Sequence, residues 1–211
     1  MKKLFLVAFL CSAFLLFGNT ASALQFDLIY EFDADLPVQS YGTLDVNEVS
    51  GNLDFIINAN TSTLGPNADI HEFYFNLDNG FTNLSISNTN APNTAYSLIG
   101  TNPSVAGGAG ASFDWGVNFG NGAGNPGNGN LQLATFTLSD AIIDLSINDL
   151  LEYSYPNNTP PVYMAVHFQS TDTPYDSETV GGNPVPEPAT LLLLGEGLVG
   201  LAGVGRKKFK K

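Results

Sequence analysis

Phe113-Asp114-Trp115-Gly116-Val117-Asn118-Phe119 decides how the rest of the chain is read. Phe113, Trp115, Val117 and Phe119 fall on one side of an extended chain, and Asp114, Gly116 and Asn118 on the other. An apolar/polar alternation of period two marks a strand with one buried face. The same period recurs through Leu24, Phe26, Leu28, Tyr30 and Phe32; through Leu44 and Val46; and through Leu53, Phe55 and Ile57. It returns at Phe73, Phe75 and Leu77, along 131–138, and in Val162, Met164, Val166 and Phe168. Leu84 with Ile86 and Tyr96 with Leu98 give weaker versions. Asp78-Asn79-Gly80 leads into Phe81 and predicts a hairpin, because Asn and Gly both tolerate positive φ. Residues 142–147 are ambiguous between strand and helix. Ser146-Ile147-Asn148-Asp149 resembles a capping box, which places a short helix before Leu151. Eight to ten short strands, with no repeat of fixed period, predict a single all-β domain, a β-sandwich or jelly-roll-like fold.

Charge divides the chain more sharply than hydropathy does. All seven basic residues lie at the ends: Lys2, Lys3, Arg206, Lys207, Lys208, Lys210 and Lys211. Eighteen of the 20 Asp and Glu residues lie between Leu24 and Pro184, with no Lys or Arg among them. Such a body is repelled by phosphate backbones, which argues against nucleic acid as a partner. It has no arginine to clamp an anionic ligand.

The two ends read as targeting segments. Lys2 and Lys3, an apolar run from Leu4 to Phe17, and Ala21-Ser22-Ala23 form the three parts of a secretory signal peptide over 1–23, with cleavage by signal peptidase after Ala23. Cys11, the sole cysteine, leaves with that leader, so the processed protein has no thiol. The body spans 24–171. Residues 172–184, rich in Gly, Pro and polar side chains, read as a flexible stalk. The final segment, 185–211, holds Val185-Pro186-Glu187-Pro188, an apolar stretch from Ala189 to Gly205, and the basic tail Arg206, Lys207, Lys208, Lys210 and Lys211. As a helix the apolar stretch measures about 26 Å against a hydrocarbon core of about 30 Å. Glu196 costs about 2.5–3.5 kcal/mol and each leucine or valine returns about 0.3–0.6. That balance makes a weak transmembrane hold, with the basic tail cytoplasmic and the body outside.

Val185-Pro186-Glu187-Pro188-Ala189-Thr190, the apolar stretch and the basic end together resemble the PEP-CTERM sorting signal. The resemblance implies an exported Gram-negative surface or matrix protein, processed by an exosortase near Pro186, Glu187 and Pro188. It passes through the inner membrane transiently and is associated with exopolysaccharide and biofilm.

Chemistry in the body is sparse. Gly122-Ala-Gly-Asn-Pro-Gly127 matches a dinucleotide fingerprint in letters only, since no helix follows to hold a pyrophosphate. His167 alternates with Val166 and Phe168 and is expected to face solvent. His71 is in phase with Phe73 and Phe75. The two histidines would make a metal site only if brought together. No catalytic serine elbow occurs. Eighteen carboxylates guarantee some pair at glycosidase spacing by chance, so a carboxylate-dependent glycosidase is the lesser alternative to a non-enzyme. No motif requires a cofactor. Calcium is the ion that Asp33 with Asp35, or Asp172 with Asp176 and Glu178, would suit, and solvated loop acids are the competing reading. Tyr153, Tyr155 and Tyr163, flanked by Asn and Asp, would suit stacking on sugar rings, so a lectin-like module is the main alternative to a structural role.

Overall fold

The computed structural model describes residues 23–78, 80–90, 96–100, 102–107, 110–120 and 130–185. Ten strands occur among them. They are β1 (Ala23–Glu31), β2 (Gly42–Val49), β3 (Asn52–Ala59), β4 (Asp69–Phe75), β5 (Leu84–Ser87), β6 (Ser97–Ile99), β7 (Trp115–Asn118), β8 (Leu133–Asp140), β9 (Met164–Gln169) and β10 (Ser177–Pro184). A one-turn helix α1 (Thr61–Leu64) and a 3-10 turn (Ile147–Leu150) complete the regular structure. The capping box forms as the sequence predicts: the Ser146 N–H and hydroxyl both donate to Asp149 Oδ2, at 2.7 and 2.9 Å.

All ladders are antiparallel and join into one sheet, in the order β5-β8-β3-β2-β1-β10-β9-β4-β7-β6. The all-β expectation holds, whereas the sandwich or jelly roll is replaced by one continuous sheet that curls almost into a barrel. Phe55 on β3 shows the curl. Its ring lies 5.4 Å from Phe73 and 6.2 Å from Phe75, both on β4. Those strands are five steps apart along the ladder, about 24 Å if the sheet were flat. The sheet therefore folds over its own buried face. Its outermost strands, β5 and β6, come within 8 Å between Cα atoms.

The interior holds the in-phase residues that the alternation marked: Phe26 and Leu28, Leu44 and Val46, Leu53, Phe55 and Ile57, Phe73 and Phe75, and Met164, Val166 and Phe168. Phe55 and Phe136 stack at 4.6 Å with planes 6° apart. A second, smaller cluster lies outside the barrel wall, where Phe32, Tyr74, Phe113, Val162 and Ala165 pack with Tyr30, Val105 and Ala111. A bulge between Leu28 and Tyr30 shifts the phase of β1 and delivers Phe32 to this outer cluster. The chain on either side of 108–109 thus covers the outer face of β4, β9 and β10.

Two local expectations are corrected. The predicted hairpin at 78–80 does not form, since β5 pairs with β8 and β4 pairs with β7 and β9. The two-residue hairpin is instead Ser50-Gly51 between β2 and β3, where Val49 pairs with Asn52 and both turn residues have positive φ, 52° and 76°. The predicted stalk is also a strand. Ser177–Pro184 is β10, held between β1 and β9 at the centre of the sheet. Gly181 and Gly182 are there for space. A Cβ on Gly181 would sit 2.6 Å from Val162 Cγ1 and 2.8 Å from Phe32 Cε1.

Candidate functional site

An open cleft of about 290 Å³ lies where the chain leaves β4, approaches β7 and follows the 3-10 turn. That volume is at the small end of the ligand-pocket range. Its walls are Asn76, Gly110, Ser112, Asp114, Glu152, Tyr153, Ser154 and Tyr155. The floor is fixed by hydrogen bonds between segments distant in sequence. The Asp114 N–H donates to Asn76 Oδ1 at 2.9 Å, and Asn76 Nδ2 donates to the Glu152 carbonyl at 3.3 Å. The Ser112 N–H donates to Ser154 Oγ at 3.1 Å. Ser154 is itself locked to Val162 by a pair of backbone hydrogen bonds of 2.7 and 3.0 Å. Asn76 and Ser154 are buried, so the floor is a rigid polar frame.

The rim is aromatic. Tyr153 stacks on Tyr163 at 4.1 Å, and Tyr155 lies 6.1 Å from Tyr153. Tyr163 is anchored edge-on against core Phe26 at 6.4 Å. Hydrogen bonding to Tyr153, followed by burial, pushes the Tyr163 phenol up to about 12. Tyr153 and Tyr155 keep 43% and 68% of their surface exposed. The three tyrosines marked in the sequence are therefore brought together, two of them exposed beside amide, hydroxyl and carboxylate groups. Exposed aromatic faces beside fixed donors and acceptors suit a flat, hydroxyl-rich ligand. Sequence reasoning missed Asn76, Ser112, Asp114 and Glu152. Asp114 had been visible only as the polar alternate of the tryptophan strand.

The other marked residues have different fates. His167 is buried, which corrects the expectation that it faces solvent. It does lie on the outer face of β9, but Ser104 to Ala106 cover that face. A bulge between Ile70 and Glu72 shifts the phase of β4, and the His71 ring comes within 5.9 Å of His167. Thr179 Oγ1 donates to the Ala106 carbonyl, so His167 Nδ1 is the donor in its 2.9 Å bond to Thr179. His167 Nε2 is left to accept from Gln169 Nε2 at 3.4 Å. Burial first, then the neighbouring His71, lowers His167 to about 4. Nearby Tyr74 donates to Glu72, and burial followed by that bond and charge holds its phenol far above the ordinary value.

At the opposite end of the barrel from the cleft, the two acidic stretches partly converge. Buried Glu31 accepts the N–H groups of Asp33 and Asp35 at 2.7 and 2.9 Å, and buried Glu178 accepts from Thr173. Burial, and then the charges of Glu31, Asp33 and Asp35, raise Glu178. Asp172 is directed elsewhere, against Gly65, and Asp176 sits in a turn with φ 59°. Among the described residues, no group of three or more His, Cys, Asp or Glu is placed to hold a metal ion. Ala21, Pro186, Glu187, Pro188, the basic tail and the 122–127 glycine stretch lie outside the described residues. Ala23 opens β1, and the Val185 N–H donates to the Gln25 carbonyl at 2.7 Å.

Residues 184–207 match the PEP-CTERM protein-sorting motif. The chain carries an exosortase sorting signal. The match begins at the last residue of β10, so body and signal abut with no spacer. This motif implies export and exosortase processing, and hence a secreted surface protein. No curated protein and no solved structure matches the chain. No helix among the described residues is long and apolar enough to cross a membrane.

Proposed function

We propose that the chain is a non-enzymatic envelope or matrix protein. In this reading signal peptidase removes 1–23, the 189–205 stretch holds the chain briefly in the inner membrane, and an exosortase then releases the β-barrel body beside exopolysaccharide. The sorting match at 184–207 carries the reading. The acidic body, with no Lys or Arg between Leu24 and Pro184, supports an extracellular address over a nucleic-acid or anionic-lipid partner. Mass spectrometry of the protein exported by an exosortase-bearing host tests it. The expected product ends close to Pro186–Pro188, and an intact Lys211 terminus on the exported protein would overturn the processing step.

The tyrosine-rimmed cleft favours a second, compatible reading, in which the body is a lectin-like module. Exposed Tyr153 and Tyr155 would stack on sugar rings while the Asn76, Asp114 and Glu152 frame sets orientation. Selective, saturable binding on a glycan array, lost in Tyr153→Ala, supports it, and uniform non-binding removes it. Asp114 and Glu152 also offer a pair of carboxylates. Reducing ends released from a polysaccharide panel, and no longer released by Asp114→Asn, would replace the non-enzymatic reading with a glycosidase.

A further inference from the structure

The sheet topology sends both targeting segments out of the same end of the barrel. Ala23 pairs with Asn47 at the start of β1, and Phe26 pairs with Pro184 at the end of β10. The Ser50-Gly51 hairpin lies at this end, and the Leu145 N–H is bound to the Gly51 carbonyl at 2.8 Å. The end of β8 and the segment after the 3-10 turn join it, because Leu53 pairs with Leu138 and Gly182 with Met164.

Exposed apolar side chains concentrate here. Val49, Ile142, Ile143, Leu151, Tyr153 and Tyr155 are six of the ten large hydrophobic residues that stand exposed among the described residues. Ile142 is 77% exposed. Carboxylates occupy both ends: Glu31, Asp33, Asp35 and Glu178 lie at the opposite one, and Glu48, Asp140, Asp144 and Glu152 lie among the apolar side chains at this one.

The tether is short. Only Pro186, Glu187 and Pro188 separate Val185, whose N–H is bonded into the sheet, from the apolar stretch beginning at Ala189. The four Cα-to-Cα steps from Val185 to Ala189 reach about 14 Å when extended. The headgroup layer of one leaflet is roughly 5–7 Å deep. With the apolar stretch inserted, this end of the barrel faces the membrane and is held within about 7–9 Å of the headgroup surface.

We infer that the end of the barrel bearing Val49, Ile142, Ile143, Leu151, Tyr153 and Tyr155 is a lipid-docking surface, seated on the headgroups of the membrane while the sorting segment is uncleaved. The inference rests on the proposed insertion of 189–205. Tyrosine and apolar side chains at headgroup level are the composition that interfaces favour. Glu48, Asp140, Asp144 and Glu152, at the same end, oppose anionic lipid, so the surface suits zwitterionic headgroups. Docking would also place the tyrosine cleft against the membrane until the chain is released.

Site-directed spin labelling tests the inference on the chain with its tail intact, purified from a host without exosortase and placed in phosphatidylcholine bilayers. Cys11→Ser removes the native thiol, and single labels go to Ile142→Cys, Tyr155→Cys, Val38→Cys and Leu194→Cys. Labels at 142 and 155 should show an oxygen-to-nickel-chelate collision ratio several-fold above that at Val38, which is exposed at the opposite end. If Leu194 reads as bilayer while 142 and 155 read as water, insertion stands and docking falls. If Leu194 itself reads as water, both fall. If 142 and 155 are shielded from oxygen and nickel alike, the surface is covered by protein, and the lipid assignment is wrong.

Discussion

His167 gives this fold a measurable acid sensitivity. Its ring is buried between Thr179 and Gln169, and the network leaves Nε2 as an acceptor facing an amide N–H. Protonating Nε2 would place two donors against each other in a desolvated site that His71 also borders. The folded value of about 4 lies about 2.5 units below the ordinary 6.5. At 1.36 kcal/mol per unit this is about 3 kcal/mol. The folded pKa is depressed, so the stability it represents is present above pH 6.5 and is lost as pH falls from 6.5 towards 4. Three kcal/mol is a large share of an ordinary domain's stability. Urea melts of the 23–185 body at pH 7.5 and pH 4, for wild type and His167→Gln, measure it. Gln keeps a polar head for Thr179 but cannot take a proton. With an urea m-value of about 2 kcal/mol/M, the wild-type midpoint should fall by about 1.5 M more than the variant's over this interval. Carboxylates such as Glu178 titrate in both proteins and cancel from the difference. Parallel losses in the two proteins would refute the assignment of a buried neutral imidazole.

Four further outcomes are expected. Gly181→Val should lower stability by about 1–3 kcal/mol, since even its Cβ would lie 2.6 Å from Val162, and a thermal melt should fall by several degrees. Gly51→Ala should also destabilise, by about 1–2 kcal/mol for its positive φ alone, because its Cβ meets the Asp144 carboxylate as well; denaturant melts read this. Asp149→Ala removes the acceptor of both Ser146 bonds and should cost about 1 kcal/mol by the same assay. Tyr153→Ala, which removes the stack on Tyr163, should abolish any saturable glycan binding while leaving the far-ultraviolet circular dichroism unchanged.

The strands were legible in the sequence because burial of one face imposes period two on each strand separately. Sheet order was not legible. Whether Phe55 buries against a second sheet or against Phe73 across a curl depends on pairings between residues far apart in sequence, which alternation does not encode. Composition misled most at 177–184. Gly181 and Gly182 look like linker residues, yet they are small because Val162 and Phe32 crowd the one and Leu28 and the Asp27 carbonyl the other. His167 was misjudged for a related reason: its outward phase was read correctly, but not the loop that covers it. The tyrosines of the cleft could be picked out as aromatic residues in polar surroundings. Asn76 and Asp114 could not, because the 2.9 Å bond joining them spans 38 positions of the chain.

The adjacency of β1 and β10 also orders events in time. They are the first and last strands among the described residues, and they lie side by side in the middle of the sheet. A body threaded outward from its N-terminus presents β1 first and must wait for 177–184 before that strand gains its second neighbour. Until then the sheet is split into two halves with raw edges. The next residues to arrive after Pro184 are those of the sorting signal. In the proposed export scheme, completion of the sheet would therefore coincide with delivery of the sorting segment, so the topology would act as a clock that keeps folding behind transport.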